Sequence, residues 1–408
     1  MLNRKVDFSC ILNTKSLIML LFFFSAGFSF DIHWCEPPLP EYEGIPNADL
    51  VQVQIITRHG ARTPLHISKN FSNLWICNET EIFSIDSKLS RPMKVNNAFG
   101  KSVFLGDCIY SQLTGKGADA LFRLGKYIHN IYVDRLKFLP TTIKPTIMKF
   151  RSTSTHRTIH SSMAFISGLY EQRPSINLEL AEKTYDHWRR ASELCPKLKE
   201  SMDSLKGSAE WNSLNLTNDE LESNMSKSIG TKWSSTNDIS TSSRCNNLPL
   251  PPNVDISRLD EATLLKARQM QFVYAHSSVY PLFFSFCAAE MVNHMSERLN
   301  GNSSIRFIHW SAHDGNILGY LGYLGYADGK WPPYGSYIVT ELWQQKNGKA
   351  IVRILFNGKP IKVPRMLNSV TFPFTEYKKF VVNHLPDLKF DCGFNQKKFF
   401  QSTVKYSD

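Results

Sequence analysis

Val51-Gln52-Val53-Gln54-Ile55-Ile56-Thr57-Arg58-His59-Gly60-Ala61-Arg62-Thr63-Pro64 is the stretch whose reading decides the fold. Residues 51–56 are strand-like; the segment after them sets a histidine and a glycine between two arginines four apart and closes on proline. At average usage of about 5% each, Arg, His, Gly, Arg and Pro recur at these spacings by chance in roughly one in ten thousand chains of this length. Two planar guanidinium forks beside one imidazole suit a phosphoryl group. A neutral imidazole can attack phosphorus and form a covalent intermediate, so His59 reads as a nucleophile and Arg58 and Arg62 as phosphate ligands. Gly60, with no Cβ, is expected to let the phosphate oxygens approach closely. The turning backbone after the strand can offer N–H groups to an anion.

Two more strand ends share this habit. Ile147-Met148-Lys149-Phe150 is a short strand leading into Arg151, and Ile305-Arg306-Phe307-Ile308-His309-Trp310 leads into Ser311-Ala312-His313-Asp314. They add a third arginine, a further donor and a carboxylic acid, which completes phosphoryl transfer without a metal ion or cofactor. Between them, Thr114 reads as an N-cap for a helix whose Leu121, Leu124, Ile128 and Ile131 share one face. Thr158 to Leu169 and residues 260–298 repeat the helical pattern. Residues 337–345 and 350–356 read as strands about the hairpin signal Asn347-Gly348. Strands alternating with long helices make this an α/β chain whose site lies at the carboxyl ends of strands.

The chain resembles the histidine acid phosphatase branch of the phosphoglycerate-mutase-like superfamily. The resemblance rests on Arg58-His59-Gly60-x-Arg62-x-Pro64, Leu113-Thr114-x-x-Gly117 with Leu124-Gly125, and Arg151-Ser152-Thr153 with Arg157-Thr158. Ser311-Ala312-His313-Asp314 and Pro332-Pro333-Tyr334 with Glu341-Leu342-Trp343 complete it. It implies His59 as the phospho-accepting nucleophile, Arg58, Arg62, Arg151 and His313 as phosphate ligands, and Asp314 as proton donor to the leaving oxygen. Ser154 departs from the pattern, which commonly has Asp there. The implied architecture is a three-layer α/β/α core with a mostly parallel central sheet over residues 30–180 and 272–408. A smaller, mainly helical cap insertion over 181–271 would set specificity. The implied activity is acid phosphomonoester hydrolysis, with lysophosphatidate-type, phytate-type and Golgi phosphoxylose-type substrates as variants. A catalytically silent glycoprotein on the same scaffold is the reading from another class.

Composition is consistent with this. The chain has 408 residues, 42% hydrophobic and 20% charged, which excludes global disorder. Net charge of +11 suits an anionic substrate. No basic run interleaves with aromatics, so nucleic acid is not an expected partner. Arg4, Lys5 and Lys15 precede the apolar run Leu17–Phe24 and the small residues Ser25, Ala26 and Gly27. Residues 1–29 therefore read as a signal peptide, or as a signal anchor in the Golgi membrane. No later segment is apolar enough to span a bilayer, so the mature chain is expected to be secreted or lumenal. Asn70, Asn78, Asn215, Asn224 and Asn302 each open an Asn-x-Ser/Thr triplet. Cys35, Cys77, Cys108, Cys195, Cys245, Cys287 and Cys392 follow the signal, an odd number that leaves at least one thiol outside any intrachain disulfide. The Ser/Thr/Asn-rich stretch 200–253 reads as a mobile surface insertion.

Overall fold

The computed structural model describes residues 35–77, 105–171, 176–181, 186–189 and 191–393. The signal segment and Asn78 lie outside them. In chain order the elements begin with β1 (Ala48–Arg58), β2 (Leu74–Trp75), β3 (Leu105–Gly106), α1 (Gly115–His129), β4 (Met148–Ser152), α2 (His156–Leu169) and β5 (Leu178–Leu180). Helices α3 (Ala191–Leu194), α4 (Pro196–Leu205), α5 (Ala209–Ser213), α6 (Asp219–Ile229), α7 (Trp233–Cys245), α8 (Ile256–Ala275) and α9 (Tyr280–Leu299) come next. The chain continues with β6 (Phe307–Ala312), α10 (Asp314–Leu324), β7 (Tyr337–Gln345), β8 (Ala350–Phe356), β9 (Lys359–Pro360), β10 (Thr371–Pro373) and α11 (Phe374–Asn383).

The eight-stranded sheet runs β10-β8-β7-β1-β6-β4-β5, with β9 beside β8. Within this sheet parallel pairing is confined to β1, β6, β4 and β5; the β7–β8 hairpin and its neighbours pair antiparallel. A short Asn347-Gly348 connection cannot bring strands back in parallel, so that half of the sheet is mixed by necessity. Alternation along β1 builds the layers. Val53 and Ile55 enter the core shared with α1 and α2, whereas Ile56 enters the core shared with α9, α10 and α11. Two glutamines of β1 are also buried, and Gln54 Nε2 donates to Met291 O of α9 at 2.9 Å. Glu341 of the Glu-Leu-Trp segment is fully buried and bonded to Tyr42, Tyr132, Trp343 and Arg353, which makes it a structural residue.

The stretch expected to be a mobile insertion is helical and packed instead. Thr236, Asn237, Ser240, Ser242 and Ser243 of α7 are buried, and Asn237 Nδ2 donates to Thr263 Oγ1 of α8 at 3.0 Å. Small hydroxyl side chains bury little apolar area, but they bond to nearby carbonyls and let helices approach closely. The sequence boundary at residue 271 falls inside α8, one continuous helix that packs on α10. Disulfides join Cys35–Cys245, Cys77–Cys108 and Cys195–Cys392, and the odd thiol, Cys287, is buried in α9. Three such bonds indicate an oxidising compartment. Among the described residues no helix is long and apolar enough to cross a membrane.

Candidate active site

Strand register assembles the site. Arg58 of β1 pairs with Ala312 of β6, so the next residues, His59 and His313, emerge side by side with ring centroids 5.6 Å apart. His59 N–H donates to Ala312 O at 3.1 Å, and Gly335 N–H donates to His59 O at 3.1 Å, which pins the backbone between two strand ends. Gly60 is required for a reason other than the expected one. A Cβ there would lie 2.2 Å from Gly117 O, because the first turn of α1 sits directly against it. The glycine of the Arg-His-Gly segment and the glycine of Leu113-Thr114-x-x-Gly117 are thus two halves of one close backbone contact.

His59 is buried, and its Nδ1 lies 2.9 Å from Gly60 O. A carbonyl only accepts, so Nδ1 carries the hydrogen and Nε2 keeps the lone pair. Burial, and then Arg157, Arg58, Arg62 and His313, hold the His59 pKa well below its usual value. The ring therefore stays neutral in mild acid, where an ordinary histidine is charged.

Each arginine of the segment meets a carboxylate. Arg58 Nη2 pairs with Asp314 Oδ2 at 3.0 Å, its Nη1 donates to Pro332 O at 2.5 Å, and its guanidinium lies 4.2 Å from the Tyr334 ring centroid. Arg62 Nη2 pairs with Asp238 Oδ1 of α7 at 2.8 Å. Burial works to raise the Asp238 pKa, but Arg62, the Leu65 N–H and Lys266 together outweigh it and the net shift is downward. Asp314 opens α10, and its Oδ1 accepts from Gly315 N–H at 2.9 Å. Burial again pushes upward, yet Arg58, Lys266, Arg62 and His313 together hold Asp314 below the usual carboxylate range. Its side chain is 30% exposed, so a ligand can reach it.

The structure brings together His59, Arg58, Arg62, His313 and Asp314, but not Arg151. On β4, Met148 and Phe150 face the α1–α2 core, so Arg151 turns to the other face of the sheet. There Nη1 pairs with Glu290 of α9 at 2.6 Å and Nη2 with Asp186 at 3.4 Å. The third arginine of the site is Arg157, in the first turn of α2. Its Nη2 donates to His313 Nδ1 at 3.3 Å and its Nη1 to Ser111 Oγ at 2.5 Å. Accepting from Arg157 leaves the His313 hydrogen on Nε2, 3.0 Å from Thr153 Oγ1. Arg157-Thr158 already stood among the motif residues; strand alternation at Arg151 was the signal that could have moved the role to it. Asp238, Lys266 and Tyr334 were also missed as site residues, the first two because no local pattern ties α7 and α8 to the Arg-His-Gly segment.

A cleft of about 250 Å³ opens on the Arg58, Arg62 and Asp314 side of the site, lined also by Asp238, Lys266 and Tyr334 among others. Among the described residues the cluster with metal-ligand spacing is Cys77, Asp107 and Cys108, and both of its sulfurs are in a disulfide.

Residues 49–240 and 285–357 match the sequence profile of the histidine phosphatase superfamily, branch 2. The chain belongs to this family. Counting factor 60 of Dictyostelium discoideum is 26% identical over 374 residues, covering 85% of this chain and 90% of that one. Human lysophosphatidic acid phosphatase type 6 is 23% identical over 349 residues, covering 78% of this chain and 79% of the relative. The Hafnia alvei phytase in complex with tartrate superposes with a TM-score of 0.60 at 13% identity, covering 85% of this chain and 99% of the phytase. This histidine phosphatase thus shares the fold of the phytases.

Exchanging the two arginines separates their roles. Arg157→Ala is expected to lower kcat/KM for a phosphate ester about 10- to 100-fold, the worth of one charged hydrogen bond, with little change in Tm. Arg151→Ala takes the arginine from Asp186 and Glu290, leaving Glu290 only His187 and Trp188, and should act mainly on Tm. Steady-state kinetics and thermal melts of both variants decide, and the reverse pattern would restore Arg151 to the site.

Proposed function

We propose that this phosphatase is a secreted or lumenal acid phosphomonoesterase that works through a phosphohistidine on His59 and needs no metal ion. The observation that carries the reading is the buried His59 ring, its Nδ1 against Gly60 O, with Arg58, Arg62 and Arg157 disfavouring its charged form. Nε2 attacks phosphorus, the ester P–O bond breaks, and Asp314 delivers a proton to the leaving oxygen. Arg58, Arg62, Arg157 and His313 hold the three equatorial oxygens. Water then attacks the phosphohistidine, the Asp314 carboxylate takes its proton, and His59 is regenerated. Helices α3–α8 act as a cap, contributing Asp238 and Lys266 to the cleft wall.

The free site holds Asp314 ionised, so the proton arrives with the substrate. A phosphomonoester has a second pKa near ~6, and its monoanion carries one proton. As Arg58 turns from Asp314 to the phosphate, Asp314 loses its main cation and takes that proton. The pH profile follows with its sign. kcat/KM should rise as pH falls through about 6 and then hold towards pH ~4, because His59 does not protonate at its ordinary value. Release of inorganic phosphate from glycerol phosphate, an alkyl ester whose leaving oxygen needs that proton, tests the reading across this range. A rate that falls with pH below ~6.5 would give His59 an ordinary pKa and overturn it. Absence of turnover in a protein still stabilised by inorganic phosphate would favour a silent scaffold.

A further inference from the structure

Lys266 of α8 lines the cleft together with Arg58, Arg62 and Asp314. Its ammonium stands 4.5 Å from the Trp331 ring centroid. Among the described residues it makes no hydrogen bond and no ion pair, although Asp238 and Asp314 line the same space. The position is fixed from two sides. Further along α8, Gln271 Nε2 donates to Lys330 O at 2.9 Å and to Asp328 Oδ1 at 3.0 Å, while its Oε1 accepts from Gly329 N–H at 2.9 Å. These bonds lock the loop carrying Trp331, and the same loop continues into Pro332, whose carbonyl holds Arg58.

Ester cleavage alone gives no reason for this ammonium. Burial lowers its pKa, and its charge helps keep Asp314 ionised, which opposes proton donation. Lys266 is half-buried, and with no hydrogen-bonding acceptor among the described residues its ammonium is free to take one that a ligand brings. Since Asp314 marks the side from which the alcohol departs, Lys266 lies beside the leaving group. We propose that Lys266 forms a leaving-group-side subsite for a second negative charge, so that preferred substrates are phosphomonoesters whose alcohol portion itself carries a carboxylate or a phosphate. This rests on the phosphomonoesterase reading above and names the substrate class for it. The surrounding wall of Ser234, Ser235, Asn237, Thr241 and Thr263 supplies hydroxyl and amide groups suited to a compact polar alcohol.

The test uses glycerol phosphate, phosphoglycerate and glycerol bisphosphate, with neutral, carboxylate and phosphate arms. The wild-type chain should turn over at least one charged ester with kcat/KM about tenfold or more above the neutral one. Lys266→Met keeps the stem over Trp331 and removes the charge; it should collapse that ratio towards unity, with the loss in KM, while Lys266→Arg restores it. Lys266→Gln serves if the Met variant does not fold. No preference in the wild type, or a ratio unchanged in the variants, overturns the subsite. The same esters read as ligand-induced Tm shifts keep the two claims apart. If no ester is hydrolysed the phosphatase reading fails, whereas a charged-ester Tm advantage lost in Lys266→Met still upholds the subsite, and its absence sinks it.

Discussion

His59→Ala is expected to lower hydrolysis of p-nitrophenyl phosphate by about 10^4-fold or more, in a protein that remains folded. The size of the loss follows from the role. Removing the nucleophile removes the covalent route, leaving only the slower direct attack of water on a bound phosphate. Folding survives because the ring bonds to its own neighbour, Gly60 O, and the backbone is held by β6 and Gly335. The anion site also survives, since Arg58, Arg62, Arg157 and His313 are untouched. Inorganic phosphate should therefore still raise Tm in the variant while turnover is gone. Turnover within tenfold of wild type, in that folded variant, would exclude His59 as the phospho-acceptor.

Asp314→Asn gives the second large effect, and it depends on the leaving group. An alkoxide needs its proton as the P–O bond breaks; p-nitrophenolate does not. We expect kcat on an alkyl phosphate to fall about 10^2- to 10^4-fold, and kcat on p-nitrophenyl phosphate far less. The amide keeps an oxygen to accept from Gly315 N–H, so the start of α10 is preserved. Arg58 loses its competing carboxylate, so KM should fall or stay level for both esters. Equal losses of kcat on the two substrates would remove Asp314 from the role of acid.

Much of the fold can be read locally, because hydrophobic period and turn chemistry are local signals. The alternation in β1, the capped helix beginning after Thr114, and the Asn347-Gly348 hairpin all lie where the sequence puts them. The Ser/Thr/Asn-rich helix α7 is the contrary case. Its buried hydroxyls look like loop composition until α8 and the Cys35–Cys245 disulfide are in place around it.

For the site, the sequence by itself named the candidate groups: a histidine flanked by arginines, and a His-Asp pair at a second strand end. Residue type carries that information, since only certain side chains attack, bind or protonate a phosphoryl group. Which arginine completes the set was decided by tertiary structure. Strand alternation turned Arg151 towards Glu290, and the first turn of α2 brought Arg157 to His313. The tautomer of His59, the ionised state of Asp314, and the meeting of Asp238 and Lys266 with the Arg-His-Gly segment were decided there too. Charge and hydrogen-bond geometry act through distances of a few ångströms between residues far apart in the chain, such as Arg58 and Asp314, and only the folded register sets those distances.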